Sequence, residues 1–160
     1  MKISKEQVLQ GFIHQFKAER DSLVHSAKAA HLAATHDESK AEDRHDTFAI
    51  ESSYLAAGQA VRVAELEDTV REFEAYLGAT APHIQVGRGT LVTYDYDGVA
   101  SVALIALLGG GSKIRIGSQT VQVLTLKSPL GEELEGGNPG DAFSVELRGS
   151  EKEIEILTVQ

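Results

Sequence analysis

The sequence contains no cysteine and no tryptophan, and it has only 3 prolines and few other aromatic residues. Without cysteine the chain cannot form disulfides, thiolate zinc sites or a cysteine nucleophile, and this composition fits a reducing compartment. No run reaches the roughly 18 uncharged apolar residues of a membrane span, and the N-terminus lacks the apolar core of a signal peptide. We therefore expect a cytoplasmic protein without a membrane partner.

Positive charge is also scarce. The formal net charge is −9 at pH 7, and both halves of the chain are acidic. In the second half, four basic residues are scattered and form no basic stripe: Lys113, Arg115, Lys127 and Arg148. A protein that binds nucleic acid by itself usually has a basic patch. Any contact with RNA or DNA is therefore expected to depend on a partner.

The composition changes near Gly78, and this change predicts two domains. Glycine is sparse before Gly78, whereas glycine, valine, isoleucine, threonine and leucine are frequent after it. Gly78 suits the residue that follows a helix, and Pro82 prevents the helix from resuming. We place the first domain at residues 1–79 and the second at residues 80–160.

The first domain has the apolar spacing of a coiled coil. Ser4 and Gln7 have the spacing of a capping box at a helix start. Apolar residues then recur at alternating intervals of four and three, interrupted only by Arg20. The first series comprises Leu9, Ile13, Phe16, Leu23, Ala27, Ala30 and Ala34, and the second comprises Ile50, Tyr54, Ala57, Val61, Val63, Leu66, Val70, Phe73 and Leu77. These series predict an antiparallel hairpin in which Leu9 faces Phe73, Phe16 faces Leu66 and Ala30 faces Tyr54.

The segment that joins the two series, Thr35–Thr47, is dense in charge. Its acids are Asp37, Glu38, Glu42, Asp43 and Asp46, and its bases are Lys40 and Arg44. We predict an acidic tip at about residues 36–46, held in solvent at the far end of the hairpin. The alternative is structural, because Ser39 and Glu42 have capping-box spacing and Glu42 would then cap the second helix. A zinc site at His36 and His45 is also conceivable, but the segment offers no firm third ligand.

The second domain has the pattern of short strands separated by turns. Asp97 and Gly98 predict a hairpin turn between two strands. Ser128 and Pro129 predict the start of a short helix that extends to Glu135. The predicted strands are Gly89–Tyr96, Val99–Leu108, Lys113–Ile116, Thr120–Leu126, Ala142–Leu147 and Glu153–Val159.

Several segments in this order resemble the bacterial Gre-type (GreA/GreB) transcript cleavage factors. In the first domain they are Ser53 to Ala57. In the second they are Val86–Thr93, Lys127-Ser128-Pro129-Leu130-Gly131, Gly140-Asp141 and Glu153–Leu157. With the predicted hairpin and tip, the likeness covers nearly the whole chain.

The resemblance implies an α+β fold, in which an N-terminal antiparallel coiled-coil hairpin precedes a small FKBP-like β domain. It implies an accessory elongation factor, not an enzyme, that binds the secondary channel of bacterial RNA polymerase. The β domain would dock on the channel rim, with Ser128, Pro129 and Leu130 at the contact. The tip would reach the active centre and meet the RNA 3′ end only indirectly, and DNA only through the polymerase.

In this family, tip carboxylates help the polymerase hold a second Mg²⁺ that activates water to cut backtracked RNA. The protein would need no cofactor of its own, because the Mg²⁺ is shared with the polymerase. Glu38 and Glu42 are the predicted catalytic and metal-holding residues, with Asp37 and Asp43 in reserve. Carboxylate oxygens suit Mg²⁺, and two metals about 4 Å apart stabilise both the attacking and the leaving oxygen.

The tip departs from the family pattern of an Asp followed three residues later by a Glu, because Glu38 and Glu42 are four apart. One alternative is therefore a regulator that occupies the channel without stimulating cleavage. A less favoured alternative is a chaperone or a peptidyl-prolyl isomerase that uses the β domain. The second domain has only Tyr94, Tyr96 and Phe143 to form an aromatic pocket.

Overall fold

The computed structural model describes residues 3–34, 55–79 and 81–160. Its first two elements are long helices, α1 (Lys5–Ala34) and α2 (Ala57–Gly78). The predicted capping box is confirmed, because Ser4 Oγ accepts a hydrogen bond from Gln7 N at 3.2 Å and Ser4 N donates to Gln7 Oε1 at 3.5 Å. At the start of α2, Ala56 N donates to Gln59 Oε1 at 3.1 Å. The helix includes Gly78 as its last residue, one position beyond the predicted end, and Gly78 lacks the positive φ of a C′ glycine.

Burial confirms most of the predicted helix seam and corrects four positions. Seven predicted residues are buried: Leu9, Ile13, Phe16, Ala27, Leu66, Val70 and Phe73. The seam prediction is wrong at four residues, which are exposed: Ala30, Ala57, Val61 and Leu77. Val63, two positions further along the phase slip, is half-buried in place of Val61. The predicted contact of Ala30 with Tyr54 involves a residue outside the described part of the chain.

The chain divides into two compact units. The sheet unit comprises Met1–Ile13 and Glu72–Gln160, and the hairpin unit comprises His14–Arg71. The domain boundary after residue 79 stays a prediction, and it falls in the chain between α2 and the first strand. The compact units, in contrast, group the start of α1 and the end of α2 with the sheet.

Besides the ends of α1 and α2, the described residues of the sheet unit form a six-stranded sheet and one short helix. The strands are β1 (Leu91–Tyr96), β2 (Val99–Ala106), β3 (Lys113–Ile116), β4 (Gln119–Thr125), β5 (Ala142–Leu147) and β6 (Ser150–Val159), and α3 (Pro129–Leu134) lies between β4 and β5. Their order in the sheet is β3-β4-β2-β1-β6-β5. All neighbours are antiparallel except β2 and β4, which are parallel. The α+β fold class is therefore confirmed, whereas the FKBP-like comparison stays a prediction.

The two faces of the sheet carry different cores. One face bears Val92, Ala103, Ile105 and Ile156, which cluster with Leu134 of α3. Side chains alternate between the faces, and the register places Val102, Val121 and Ile114 on the other face. This second face lies against the helix ends of the same unit, since a Cβ added at Gly11 would lie 2.9 Å from Ile114 Cδ1. The sheet therefore contacts the helix ends of its own unit on one side and α3 on the other.

Candidate functional site

The predicted acidic tip lies outside the described residues. This applies to Glu38 and Glu42, to the reserves Asp37 and Asp43, and to the two histidines of the segment. Their roles stay predictions, and the structure contributes the elements on either side: α1, which is described as far as Ala34, and α2, which begins at Ala57. In the sequence α1 ends immediately before the acidic segment, and α2 begins at Ala57, after residues 48–56.

An ion pair joins the two helices of the hairpin unit. Arg62 of α2 donates to Glu19 Oε1 of α1 through Nε at 3.0 Å and through Nη2 at 2.7 Å. Its Nη1 lies 3.6 Å from Glu65 Oε2 in the next turn of α2. The hydrogen bond to Glu19 raises the pKa of the Arg62 guanidinium. The two helices are therefore held side by side by a polar contact as well as by the buried residues.

The buried side chains of the hairpin unit become smaller along α1, toward its C-terminal end. Phe16 is 1% exposed and Ala27 is 5% exposed, and residues 28–33 after Ala27 are all exposed. On α2 the buried residues begin at Leu66, while residues 56–62 are exposed apart from the half-buried Gln59. The end of α1 and the start of α2 thus bury few side chains. Small seam residues allow helices to approach closely.

Charges of both signs line a hollow of about 670 Å³ on the hairpin unit. It is bordered by Arg20, Asp21, His25, Lys28 and Glu67, among others. Arg20 pairs with Asp21, at 2.9 Å between Nη2 and Oδ1. Because acids accompany the bases, the hollow does not have the single sign of charge that favours phosphate groups.

The three residues predicted to contact the partner form the start of α3. Ser128 is its N-cap: the hydroxyl accepts a hydrogen bond from Gly131 N at 3.1 Å and donates to Thr125 O at 2.7 Å. Leu130 packs against the core cluster of the sheet, and Pro129, at the first helical position, is exposed. Ser128 and Leu130 therefore contribute to the fold, Pro129 is exposed, and the predicted contact of all three with a partner stays a prediction.

Glu72, which the sequence reading did not single out, joins α2 to the end of β2. Its Oε1 accepts a hydrogen bond from Leu107 N at 2.7 Å, and its Oε2 accepts one from Leu108 N at 3.0 Å. The Tyr76 hydroxyl also donates to Glu72. Burial, followed by this hydrogen bond, raises the pKa of Tyr76. The contact spans 35 residues of sequence, so no local pattern predicts it.

A second hollow, which the sequence reading also missed, lies on the face of the sheet that α3 partly covers. Its volume is about 360 Å³, and its lining comes from β2, β3, β4 and the β3–β4 turn. Tyr94, which is 2% exposed, is not part of the lining but contacts the lining residue Gln122. Gln122 Nε2 donates to the Tyr94 hydroxyl at 3.2 Å, and burial raises the pKa of this tyrosine. The lining residues are Ala100, Ser101, Val102, Lys113, Ser118, Gln119, Thr120 and Gln122.

The described ranges have neither a cluster of metal ligands nor a helix that could span a membrane. Within residues 3–34, 55–79 and 81–160, no group of three or more His, Asp or Glu side chains could hold a metal ion. Neither long helix, over its described length, is apolar enough to cross a membrane. The predicted shared metal site falls on the acidic segment, outside these ranges.

Several solved structures are similar to this chain. Gfh1 of Thermus aquaticus is 17% identical, with a TM-score of 0.37, and the match covers 92% of this chain and 90% of that one. GreA factor homolog 1 (Gfh1) of Thermus thermophilus is 17% identical, with a TM-score of 0.36 and coverage of 95% and 94%. A further structure of the transcription factor Gfh1 is 16% identical, with a TM-score of 0.37.

The chain is similar to Gfh1 over nearly its whole length. No family description and no curated protein matches the sequence of this chain. Activity does not follow from a likeness at this identity, so the function is argued from the residues of the chain itself.

Proposed function

We propose that this protein is an accessory factor of bacterial RNA polymerase, which binds the secondary channel and stimulates cleavage of backtracked transcripts by the polymerase itself. The polymerase supplies the active centre and one Mg²⁺. The acidic segment supplies Glu38 and Glu42, with Asp37 and Asp43 beside them, to help hold a second Mg²⁺. The factor is not an enzyme by itself in this proposal, and it meets RNA only through the polymerase.

The observation that carries the proposal is the arrangement of the two helices around the acidic segment. An ion pair joins α2 to α1, with 2.7 Å between Arg62 Nη2 and Glu19 Oε1. Phe12 of α1 also packs edge-on against Phe73 of α2, with ring centroids 5.8 Å apart. The sequence places five carboxylates between the paired helices. Such an element presents carboxylates to a site on another molecule, as a shared metal centre requires.

The experiment is a cleavage assay on a stalled, backtracked complex of bacterial RNA polymerase in Mg²⁺. Adding the protein should release short 3′ fragments of RNA. Replacing both Glu38 and Glu42 by Ala should reduce the rate of release by a factor of about 100 or more, because second-metal coordination is lost. Binding to the polymerase, measured in parallel by pull-down, should persist.

The matched control replaces Glu146 and Glu151 by Ala. These two exposed acids lie opposite each other on β5 and β6, so the change in net charge is the same. We expect this variant to stimulate cleavage like the unmodified protein. No release of RNA by the unmodified protein at saturating concentration would refute the cleavage function.

The second candidate function is regulation of the polymerase without cleavage. The observation in its favour is the spacing of Glu38 and Glu42, four residues apart where the resembling family has three. On one helix turn this spacing changes the direction in which the second carboxylate projects. Competition with a cleavage-competent factor for the polymerase, without release of RNA, would select this function.

A peptidyl-prolyl isomerase is not favoured by the surroundings of the predicted aromatic residues. The Tyr94 ring is buried, and its hydroxyl already accepts a hydrogen bond from Gln122. The hollow next to it has no aromatic residue in its lining. An isomerisation assay on a proline peptide should therefore show no acceleration.

A further inference from the structure

The polar hollow beside Tyr94 has the features of a prepared binding surface. The register places Tyr94, Ser101 and Gln122 across three adjacent strands on the same face. Gln122 is fixed by its hydrogen bond to the Tyr94 hydroxyl, and Ser101 Oγ lies 3.4 Å from Val99 O. These side chains are therefore ordered before any ligand arrives, which reduces the entropic cost of binding.

The charge of the hollow is opposite to that of the whole protein. Its lining includes Lys113 and no carboxylate. The alternation of β3 places Arg115 on the same face as Lys113, because these two residues are paired with Thr120 and Gln122 of β4. Lys113 and Arg115 take part in none of the ion pairs formed among the described residues. Arg115 Nε donates a hydrogen bond to Gly117 O at 3.3 Å, so its charge is held at the rim of the hollow and is not neutralised by this contact. In a chain with a net charge of −9, Lys113 in the lining and Arg115 at the rim favour a negatively charged ligand.

The remaining groups of the lining suit a polypeptide ligand better than a nucleic acid. Ser118, Thr120 and Gln119 offer hydroxyl and amide groups, which bind the N–H and C=O groups of a main chain equally well. Binding to nucleic acid requires more cations than this hollow has, and single strands are usually held by aromatic side chains, which the lining lacks.

We propose that this hollow binds an acidic peptide segment of the protein partner, with a partner carboxylate between Lys113 and Arg115 and partner main chain along Ser118, Thr120 and Gln122. The inference rests on the proposed function for the identity of the partner, a subunit of RNA polymerase. It adds a second area of contact, at the starts of β2 and β4, to the one predicted at α3, which follows the end of β4. Two areas on one face of the sheet fix the orientation of a partner better than one.

The first experiment uses a probe that does not depend on the polymerase. The isotope-labelled full chain is titrated with hexaglutamate, and with hexaglutamine as the uncharged control, while backbone and side-chain amide signals are recorded by NMR. We expect hexaglutamate alone to shift the signals of residues 100–102 and 113–122. The shifts should diminish with added salt, because the contact is partly exposed. Their absence, or equal shifts around all basic residues, would overturn the inference.

The second experiment uses bacterial RNA polymerase and one charge reversal. Lys113→Glu should weaken binding about tenfold or more, because it places like charges opposite each other. Arg148→Glu is the matched control: Arg148 is also exposed, and it lies in the turn between β5 and β6. Both variants should keep the thermal midpoint of the unmodified protein, since neither residue is buried.

The two experiments separate failure of the inference from failure of the proposed function. If the unmodified protein binds polymerase and Lys113→Glu binds equally well, the hollow is not the contact and the inference is overturned, while the proposed function stands. If the unmodified protein does not bind polymerase but hexaglutamate still shifts residues 113–122, the proposed function fails. The site then belongs to a different acidic protein. A short single-stranded RNA that shifts the same signals more strongly than hexaglutamate would also overturn the peptide assignment.

Discussion

Among single residues, Glu72 makes an unusual contact between a helix and a strand. Both of its oxygens accept hydrogen bonds from consecutive main-chain amides, Leu107 N and Leu108 N. Charge-assisted hydrogen bonds of this kind are shorter and stronger than neutral ones. The carboxylate thus fixes the last two turns of α2 against the sheet, within the sheet unit.

The first prediction concerns Glu72→Gln. Glutamine retains one acceptor oxygen and places an amide donor where the second oxygen was, so one of the two main-chain N–H groups loses its partner. We expect the free energy of unfolding to fall by about 1–2 kcal/mol, measured by urea denaturation. Glu146→Gln, on an exposed strand position, should change it by less than about 0.5 kcal/mol. Equal values for the two variants would contradict the role of Glu72.

The second prediction concerns pH and Tyr76. The pKa of Tyr76 is raised, first by burial and then by the hydrogen bond to Glu72, whereas in the unfolded chain tyrosine ionises near about pH 10. The unfolded state therefore loses this proton first. Stability from Tyr76 is fully present below about pH 10 and is lost as the pH rises toward the raised value. Tyr94 contributes with the same sign.

The measurement is urea denaturation at about pH 9 and about pH 11, which bracket the ordinary tyrosine pKa. Stability should fall between the two for the unmodified protein. Tyr76→Phe keeps the ring that packs near Phe73 and Gly89 but has no proton to lose, so its decrease should be smaller. A decrease as large as that of the unmodified protein would assign the effect elsewhere.

Among the elements, α3 depends on a close approach of two segments of main chain. A Cβ added at Gly131 would lie 2.0 Å from the carbonyl oxygen of Thr125, and Ser128 closes the same turn from the other side with its hydroxyl. Only glycine fits this position without displacing the backbone. The Ser-Pro-Leu-Gly sequence is thus explained by the construction of the turn.

The third prediction compares two glycines. Gly131→Ala should lower the free energy of unfolding by about 3 kcal/mol, because the clash is with backbone and cannot be relieved by a side-chain rotation. Gly58→Ala, in the first turn of α2 with no atom within 4 Å of the added Cβ, should raise it by about 0.5 kcal/mol. Thermal or urea denaturation of both variants decides the matter, and a mild effect of Gly131→Ala would show that the turn can adjust.

Local sequence patterns predicted the helices and strands well, but they did not predict which strands pair with each other. The strands at Lys113–Ile116 and Ala142–Leu147 have the predicted bounds, because alternation and turn residues act within a few positions. The hairpin turn at Asp97 and Gly98 is confirmed by positive φ at both residues. The parallel pairing of β2 with β4 was not predicted, since it brings together segments separated by a whole strand.

The hollow beside Tyr94 and the Glu72 contact were missed for the same reason. Lys113 and Arg115 read as scattered charges in the sequence, and only the sheet order places them beside Gln122 and Thr120. The alternation of Lys113–Ile116 does indicate that its two basic residues share a face. The sequence therefore shows that these two residues share a face, but it does not show which strand lies beside them.

At the scale of the whole molecule, the two units differ in how completely their side chains are buried. In the sheet unit, Phe12 and Phe73 are 0% exposed, as are Leu104 and Ile105. In the hairpin unit, α1 has no buried side chain among the described residues after Ala27. Regions with few buried apolar contacts open at lower free energy.

The fourth prediction is therefore a gradient of hydrogen exchange along α1. Main-chain amides near Val8–Ile13 should exchange slowly, by opening of the sheet unit, and amides after Ala27 should exchange faster by about a factor of 100 or more. Mass spectrometry of peptic peptides measures both. Uniform protection along α1 would mean that the helix opens only as a whole.

The sheet unit is assembled from segments that leave the ribosome far apart in time. Residues 3–13 leave the ribosome well before β6, yet Gln160 Nε2 donates a hydrogen bond to Ile3 O at 3.3 Å, and β6 pairs with β1 in the middle of the sheet. Chains are synthesised at about 5–20 residues per second, so the start of α1 spends several seconds without its final neighbours. Its apolar side chains stay exposed during that interval, and the sheet unit closes only after β6 has left the exit tunnel.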